Sequence, residues 1–203
     1  MSSTGQTPVS FPATIPFRMQ ELKDTQSEAD TRNISIDRVG VKGLRFPIQI
    51  QDKLNRIQST VATVSLAVDL PEEFKGTHMS RFVEALHQHG PLLDVHTALS
   101  IPRELLGRLS ASRSHVEMEF PFFRAKAAPV TGREGLMDYV VRFEMEAEAG
   151  DRLADFKLTV VVPVTTLCPC SKAMSSYGAH NQRGIVTYSV RFASRPVWIR
   201  RPN

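Results

Sequence analysis

Val141-Arg-Phe-Glu-Met-Glu-Ala-Glu148 alternates without a break between apolar and charged side chains. Successive side chains of a β-strand point to opposite faces, so Val141, Phe143, Met145 and Ala147 share one face. Arg142, Glu144, Glu146 and Glu148 share the other, and the segment reads as a half-buried strand. The same period of two appears in Leu44, Phe46, Ile48 and Ile50, in Val64, Leu66 and Val68, and in Val116, Met118 and Phe120. Beyond residue 150 it returns in Phe156, Leu158, Val160 and Val162, and again in Val186, Tyr188, Val190 and Phe192.

After Pro71 the spacing changes. Met79, Phe82, Val83 and Leu86 fall at i, i+3, i+4 and i+7, which predicts an amphipathic helix with Thr77 as N-cap and Gly90 as its stop. A second helix is predicted from about Pro102, a position where the missing N–H costs nothing, with Leu105, Leu106 and Leu109 as its apolar stripe. The order strand, strand, helix, helix, strand, strand belongs to the α+β class, an antiparallel sheet with a helix pair on one face. The two later strands read as the opening of a second copy. Three regions follow: a disordered tail over residues 1–32, rich in Ser, Thr, Gln and Pro, a first module over 33–150, and a partial second module over 151–203.

Two blocks lie between the last two strands, Leu167-Cys-Pro-Cys-Ser-Lys172 and Tyr177-Gly-Ala-His-Asn-Gln-Arg-Gly184. They read as one loop displayed at the end of a sheet, where a rigid scaffold commonly places chemistry. Thiolate and imidazole are the usual protein ligands of a borderline transition metal. Cys168-x-Cys170 is not the pair of a zinc ribbon, no second pair exists to complete four thiolates, and a disulfide two residues apart would be strained. Cys168 and His180 as metal ligands would leave room for water. The alternative is a pair of buried cysteines near a loop histidine. Lys172 and Arg183 are candidate partners for phosphate oxygens, or solvated surface cations. Asn181 and Gln182 either hydrogen-bond a ligand or cap the loop. Cys170 either orients Cys168 or packs behind it. His78 sits at the predicted start of the first helix, as part of an anion-binding end or of a packing motif. His87 and His89 read as surface residues.

Composition bounds the partners. The chain has 203 residues, a net charge of +4 and 41% hydrophobic residues, enough for a core. A mild positive excess suits an anionic small substrate. Its basic residues are scattered, so no nucleic-acid surface is expected. Two cysteines form no disulfide framework, which points to a reducing interior, and no apolar run reaches membrane-spanning length. A cytoplasmic location is the expectation.

Cys168-Pro-Cys-Ser-Lys172 and Gly178-Ala-His-Asn-Gln-Arg183 resemble the signature of the type IB GTP cyclohydrolases. Asp37-Arg-Val-Gly-Val-Lys-Gly-Leu-Arg-Phe-Pro47 and Gly76-Thr-His-Met-Ser-Arg-Phe82 resemble two further stretches of that family. The resemblance implies a bimodular tunnelling fold, here with an incomplete second module, whose subunits assemble as a homo-oligomer, a tetramer, with active sites near interfaces. It implies conversion of GTP and water to 7,8-dihydroneopterin triphosphate and formate, by metal-activated water attack at purine C8, as the first step of tetrahydrofolate synthesis. Cys168 and His180 would be the catalytic metal ligands, for zinc, manganese or iron, with Lys172, Asn181, Gln182 and Arg183 binding substrate. Family members continue past the position of Asn203, with a purine-anchoring glutamate and a Glu/His-rich segment, so a shortened chain is expected. Strands near 153–164 and 185–193 would then expose an apolar face and an unpaired edge. Two other readings follow: a catalytically inactive short subunit, and a nitrile reductase of the same fold using Cys168 as thiol nucleophile with NADPH.

Overall fold

Strand alternation on this scale builds a single broad sheet. The computed structural model describes residues 34–51, 56–128, 130–150, 155–176 and 181–192. The predicted tail over 1–32 lies outside them. The strands are β1 (Ile36–Gln51), β2 (Ile57–Leu70), the two-residue β3 (Leu92–Leu93), β4 (Arg113–Ala127), β5 (Glu134–Glu148), β6 (Asp155–Leu167) and β7 (Asn181–Phe192). They form a seven-stranded sheet in the order β3-β1-β2-β4-β5-β6-β7, in which only the β1–β3 pairing is parallel. Helices α1 (Met79–Gln88) and α2 (Val95–Leu109) pack on each other, α1 against β1 and α2 across β2, β4 and β5. The α+β reading holds, and the arrangement is consistent with a tunnelling-type fold.

Alternation decides which face is covered. Val64, Leu66, Val68, Val116, Met118, Phe120, Phe143 and Met145 lie in the core with Phe82, Leu86, Ile101 and Leu105 from the helices. The opposite face of the sheet carries cross-strand charge pairs, with Arg142 on Glu119 and Glu117 and Lys157 2.7 Å from Glu144. Ring contacts carry the core sideways through the strands. Phe120, Phe143 and Phe156 meet edge to face at centroid separations of 5.2 Å, and Phe156 lies 5.5 Å from Phe192. Past β5 the helix cover ends. Ile185 (72% exposed) and Tyr188 (65%) stand open on β7, the last strand of the described sheet.

Both helix starts differ from the expectation. His78, not Thr77, is the N-cap of α1, and Thr77 is buried just before it. Helix α2 begins at Val95, not near Pro102. Asp94 caps it by accepting a 2.7 Å hydrogen bond from the Thr97 N–H, and Val95, Ala98, Leu99 and Ile101 extend the buried stripe. Pro102 therefore sits inside the helix, where it cannot donate to the Ala98 carbonyl. Its own carbonyl accepts from the buried Ser114 hydroxyl at 2.7 Å. His89 is also not a surface residue: its side chain is 16% exposed, with Nε2 2.9 Å from Glu104 Oε2, though off the angle of a hydrogen bond. His87 is exposed and meets the Phe46 ring edge-on.

Two glycines shape β1. Gly43, at φ +74°, sits where the β1–β2 register shifts between Val41 and Leu44, a bulge that favours a residue without a side chain. Gly40 faces Ala67 across the ladder, and a Cβ there would lie 1.9 Å from the Leu66 carbonyl oxygen and 2.7 Å from Ala67 Cα. Backbone cannot yield as a flexible side chain does. Gly40→Ala is expected to destabilise the fold by about 3 kcal/mol, the upper part of the range for overpacking. A urea midpoint within error of the parent would contradict that close approach.

Asp69 ties the end of β2 to the start of β4. It accepts hydrogen bonds from the Ser112 N–H at 2.9 Å, the Arg113 N–H at 2.7 Å and the Ser112 hydroxyl. Burial pushes its carboxyl up, but these bonds together outweigh burial and hold it below the ordinary aspartate value. A carboxylate with a depressed folded-state pKa contributes stability above its unfolded value and loses it as pH falls through the folded one. The stability of the parent chain should therefore drop as pH falls below about 4. Asp69→Asn should be less stable at neutral pH and flatter in that acid window, as urea midpoints against pH would show.

Candidate functional site

The two motif blocks leave the sheet side by side. β6 and β7 are antiparallel neighbours in register, with Thr165 opposite Arg183, Thr166 opposite Gln182 and Leu167 opposite Asn181. Cys168 follows Leu167 in the chain and His180 precedes Asn181, so the last described pair of the ladder is flanked by both candidate ligands. His180 itself lies outside the described residues, as do Tyr177, Gly178 and Ala179.

Between the strands the chain is not all loop. Pro169–Met174 forms a short helix, α3, with Cys168 as its N-cap and Pro169 in the first turn. Proline is pre-organised for that place and lacks an N–H that would have gone unpaired anyway. Lys172 N–H donates to the Cys168 carbonyl at 3.2 Å, and Ser175 N–H to the Ser171 carbonyl at 3.0 Å. These bonds turn the chain sharply after β6 and leave the Cys168 side chain at the helix start.

That placement sets the chemistry of the sulfur. The backbone N–H groups of Ser171 and then Cys170 face the Cys168 thiol and hold it below the ordinary cysteine range, with a smaller push upward from burial. Donors aimed at the sulfur favour thiolate, the form that binds metals and acts as nucleophile. Both cysteines are free thiols; Cys168 is half-buried and Cys170 exposed. Cys170 therefore does not pack behind Cys168 as a buried group.

Gln182 and Arg183 do not share one face of the sheet. Lys172, Gln182 and Arg183 are exposed. Neighbours on a strand project to opposite sides, so Gln182 and Arg183 serve different faces of β7. The Gln182 carbonyl accepts from the Thr166 hydroxyl at 3.3 Å. Arg183 lines a shallow concavity of about 350 Å³ with Leu136, Met137, Asp138, Pro163, Val164 and Thr165. Asn181 opens β7 opposite Leu167.

Ser171 had no place in the reading of the sequence. It is 9% exposed, and its Oγ has no hydrogen-bond partner among the described residues. Leaving a buried hydroxyl unpaired costs about 1–3 kcal/mol. The signal available in the sequence was its spacing, three residues beyond Cys168, which is that of a capping box.

A larger concavity lies elsewhere. A cleft of about 790 Å³ opens at the other end of the sheet, lined by Arg38, Asp69, Arg113, His115 and Glu146 among others. There Glu146 Oε1 meets Arg38 at 3.1 Å and His115 Nδ1 at 3.0 Å. The chain leaves β2 at that end before reaching His78 and α1, far along the strands from Cys168. Among the described residues no group of three or more His, Cys, Asp and Glu side chains is arranged to hold a metal.

Comparison with known proteins adds a separate line. A family model described as type I GTP cyclohydrolase folE2 matches residues 22–201. The GTP cyclohydrolase FolE2 of Akkermansia muciniphila is 93% identical over 181 residues, which are 89% of this chain and 69% of that protein. Its counterpart in Syntrophobacter fumaroxidans is 51% identical over 176 residues, 87% of this chain and 68% of that protein. In Nitrosomonas eutropha the figures are 49% over 180 residues, 89% and 67%. The chain thus spans about two thirds of the length of these relatives.

Proposed function

Because this chain belongs to the type I GTP cyclohydrolase folE2 family, we propose that it hydrolyses GTP. Water opens the imidazole ring, C8 leaves as formate, and the rest rearranges to 7,8-dihydroneopterin triphosphate in the first step of tetrahydrofolate synthesis. The observation that carries the reading is the β6–β7 register, which sends Cys168 and the residue following His180 to one end of the sheet. The two alternatives, an inactive short subunit and a nitrile reductase, gain no support from the similarities.

Cys168 and His180 are the residues proposed to hold a divalent zinc, manganese or iron ion. The described donor fits that role: a free, half-buried sulfur faced by two backbone N–H groups is available as thiolate. Bound there, such an ion supplies Lewis acidity toward the water that attacks the poorly electrophilic C8. The remaining work falls to the chain's own side chains. Arg183 offers a planar fork for two phosphate oxygens and Lys172 a point charge, so both are assigned to the triphosphate. Asn181 and Gln182, with both donors and acceptors, are assigned to base or ribose.

The proposal extends to the setting. Residues 33–150 and 151–203 are taken as successive modules, and the chain as one subunit of a homo-oligomer, a tetramer by family resemblance. The open edge β7, with Ile185 and Tyr188 exposed, supports an assembled state. The free thiols suit the cytoplasm. Among the described residues no helix is long and apolar enough to cross a membrane.

The reaction is tested with GTP isotopically labelled at C8, incubated with the 203-residue chain and each divalent metal in turn. Labelled formate and a pterin, fluorescent after oxidation, should appear in equal amounts. Pterin without labelled formate, or neither product with any metal, would overturn the assignment.

A further inference from the structure

The hairpin of β4 and β5 outruns both of its neighbours. Backbone pairing of β2 with β4 ends at Thr63 and Glu119, and pairing of β5 with β6 ends at Val140 and Val161. Past those points β4 and β5 pair with each other as far as Ala127 and Glu134, as a two-stranded arm. Pro121 has no N–H to give to a ladder, and side chains of β2 take over there. The Thr60 hydroxyl donates to the Pro121 carbonyl at 3.0 Å. The Gln58 amide closes on the Phe123 backbone: its nitrogen donates to the Phe123 carbonyl at 3.0 Å, and its oxygen accepts from the Phe123 N–H at 2.8 Å. An amide carries donor and acceptor together, so this one side chain replaces a pair of ladder bonds. Phe123 stands opposite Asp138 in the arm. Leu136, Met137 and Asp138 in turn form one wall of the concavity that holds Arg183, with Pro163, Val164 and Thr165 of β6 beside it.

Resting on the assignment of Arg183 to the triphosphate, we infer that Gln58 is a positioning residue. Its clasp on Phe123 holds Asp138 away from Arg183 and keeps that guanidinium free for phosphate oxygens. Among the described residues no ion pair joins Asp138 to Arg183. Their charges are opposite and they share one concavity, so an arm released from β2 is drawn toward β7 until carboxylate and guanidinium meet. That pair would occupy the planar fork an incoming phosphate needs. Gln58 touches neither substrate nor metal. It acts through the pairing of Phe123 with Asp138, from the far side of the arm.

The test uses the full chain without added metal, with inorganic triphosphate as the probe, by equilibrium dialysis at low and high salt. The variants are Arg183→Ala, Gln58→Met, and Gln58→Met combined with Asp138→Asn. Methionine keeps the length and packing of the side chain and removes both bonds. Exchange of the Phe123 amide hydrogen reports the clasp with no ligand present. In Gln58→Met that hydrogen should exchange faster, and triphosphate should bind about threefold to fivefold more weakly at low salt, the reach of an exposed ion pair. This deficit relative to the parent should shrink in high salt, which screens such a pair, and vanish when Asp138→Asn is added. A general loosening of the arm would be neither screened nor rescued. Gln58→Glu, which keeps the acceptor and loses the donor, should fall between the parent and Gln58→Met. Parent-like binding by Gln58→Met, an unchanged exchange rate, or a deficit that Asp138→Asn leaves in place would overturn the inference while the Arg183 assignment stands. A parent that binds no triphosphate, or an Arg183→Ala variant that binds as tightly as the parent, would refute that assignment and the inference with it.

Discussion

Cys168→Ala should lose bound metal and GTP turnover together, with kcat falling by roughly 10³-fold or more. A Lewis-acidic ion contributes several kcal/mol to stabilising developing charge, and each 1.36 kcal/mol is a factor of ten in rate. The thiol is the one candidate ligand whose surroundings are described, and those surroundings favour the anion: the N–H groups of Ser171 and Cys170 at the start of α3 face it. Alanine keeps the backbone of α3 and Pro169 in its first turn, so the fold should survive and the melting temperature move little. Metal content by elemental analysis and formate release, measured on the same preparation, check the prediction. Loss of turnover with metal retained would instead make Cys168 a nucleophile or a structural residue.

Phe156→Ala should cost about 3–5 kcal/mol, the usual range for emptying a buried aromatic site. Phe156 is 1% exposed and sits between Phe143 of β5 and Phe192 of β7, at 5.2 Å and 5.5 Å. Phe156 is the fully buried ring that the motif-bearing hairpin sets into the core, with Leu158 and Phe192 packed beside it. A cavity there loosens β6 and β7 before the rest. The hairpin ends in the register that brings the Cys168 and His180 blocks together, so metal affinity should fall along with stability. Urea unfolding and zinc competition on the same variant would show both. A loss below 1 kcal/mol would mean that β6 and β7 are held by their ladder hydrogen bonds alone.

Strand alternation made most of the sheet readable in advance. Val141 to Glu148 and its five companions all lie on strands, and in the four runs under the helices a slip of one residue would turn the buried set to solvent. Order within the sheet was less legible. β3 is two residues long, Leu92 and Leu93, and forms through a parallel pairing with Gln49 and Ile50 that leaves no periodic trace. Proline misled the reading of α2. Pro102 fits a first-turn position, while Asp94, a strong N-cap eight residues earlier, opens a stripe of small and branched side chains that carries less signal than leucine. Helix α3 hid for another reason: six residues, Pro169 and Cys170 among them, are too few for an apolar period. The candidate site was legible as chemistry and not as geometry. Residue types named Cys168 and His180, but the buried Ser171 hydroxyl and the turn at Pro169 depend on how α3 folds back from β6.

The account stands on Cys168 and His180 sharing one ion, and zinc K-edge absorption on the 203-residue chain tests that directly. One sulfur at about 2.3 Å, with imidazole and other light atoms at about 2.0–2.2 Å, is the predicted set of neighbours. The sulfur should vanish in Cys168→Ala and the imidazole signature in His180→Ala. A parent spectrum with nitrogen and oxygen alone, or with both sulfurs and no imidazole, would contradict it.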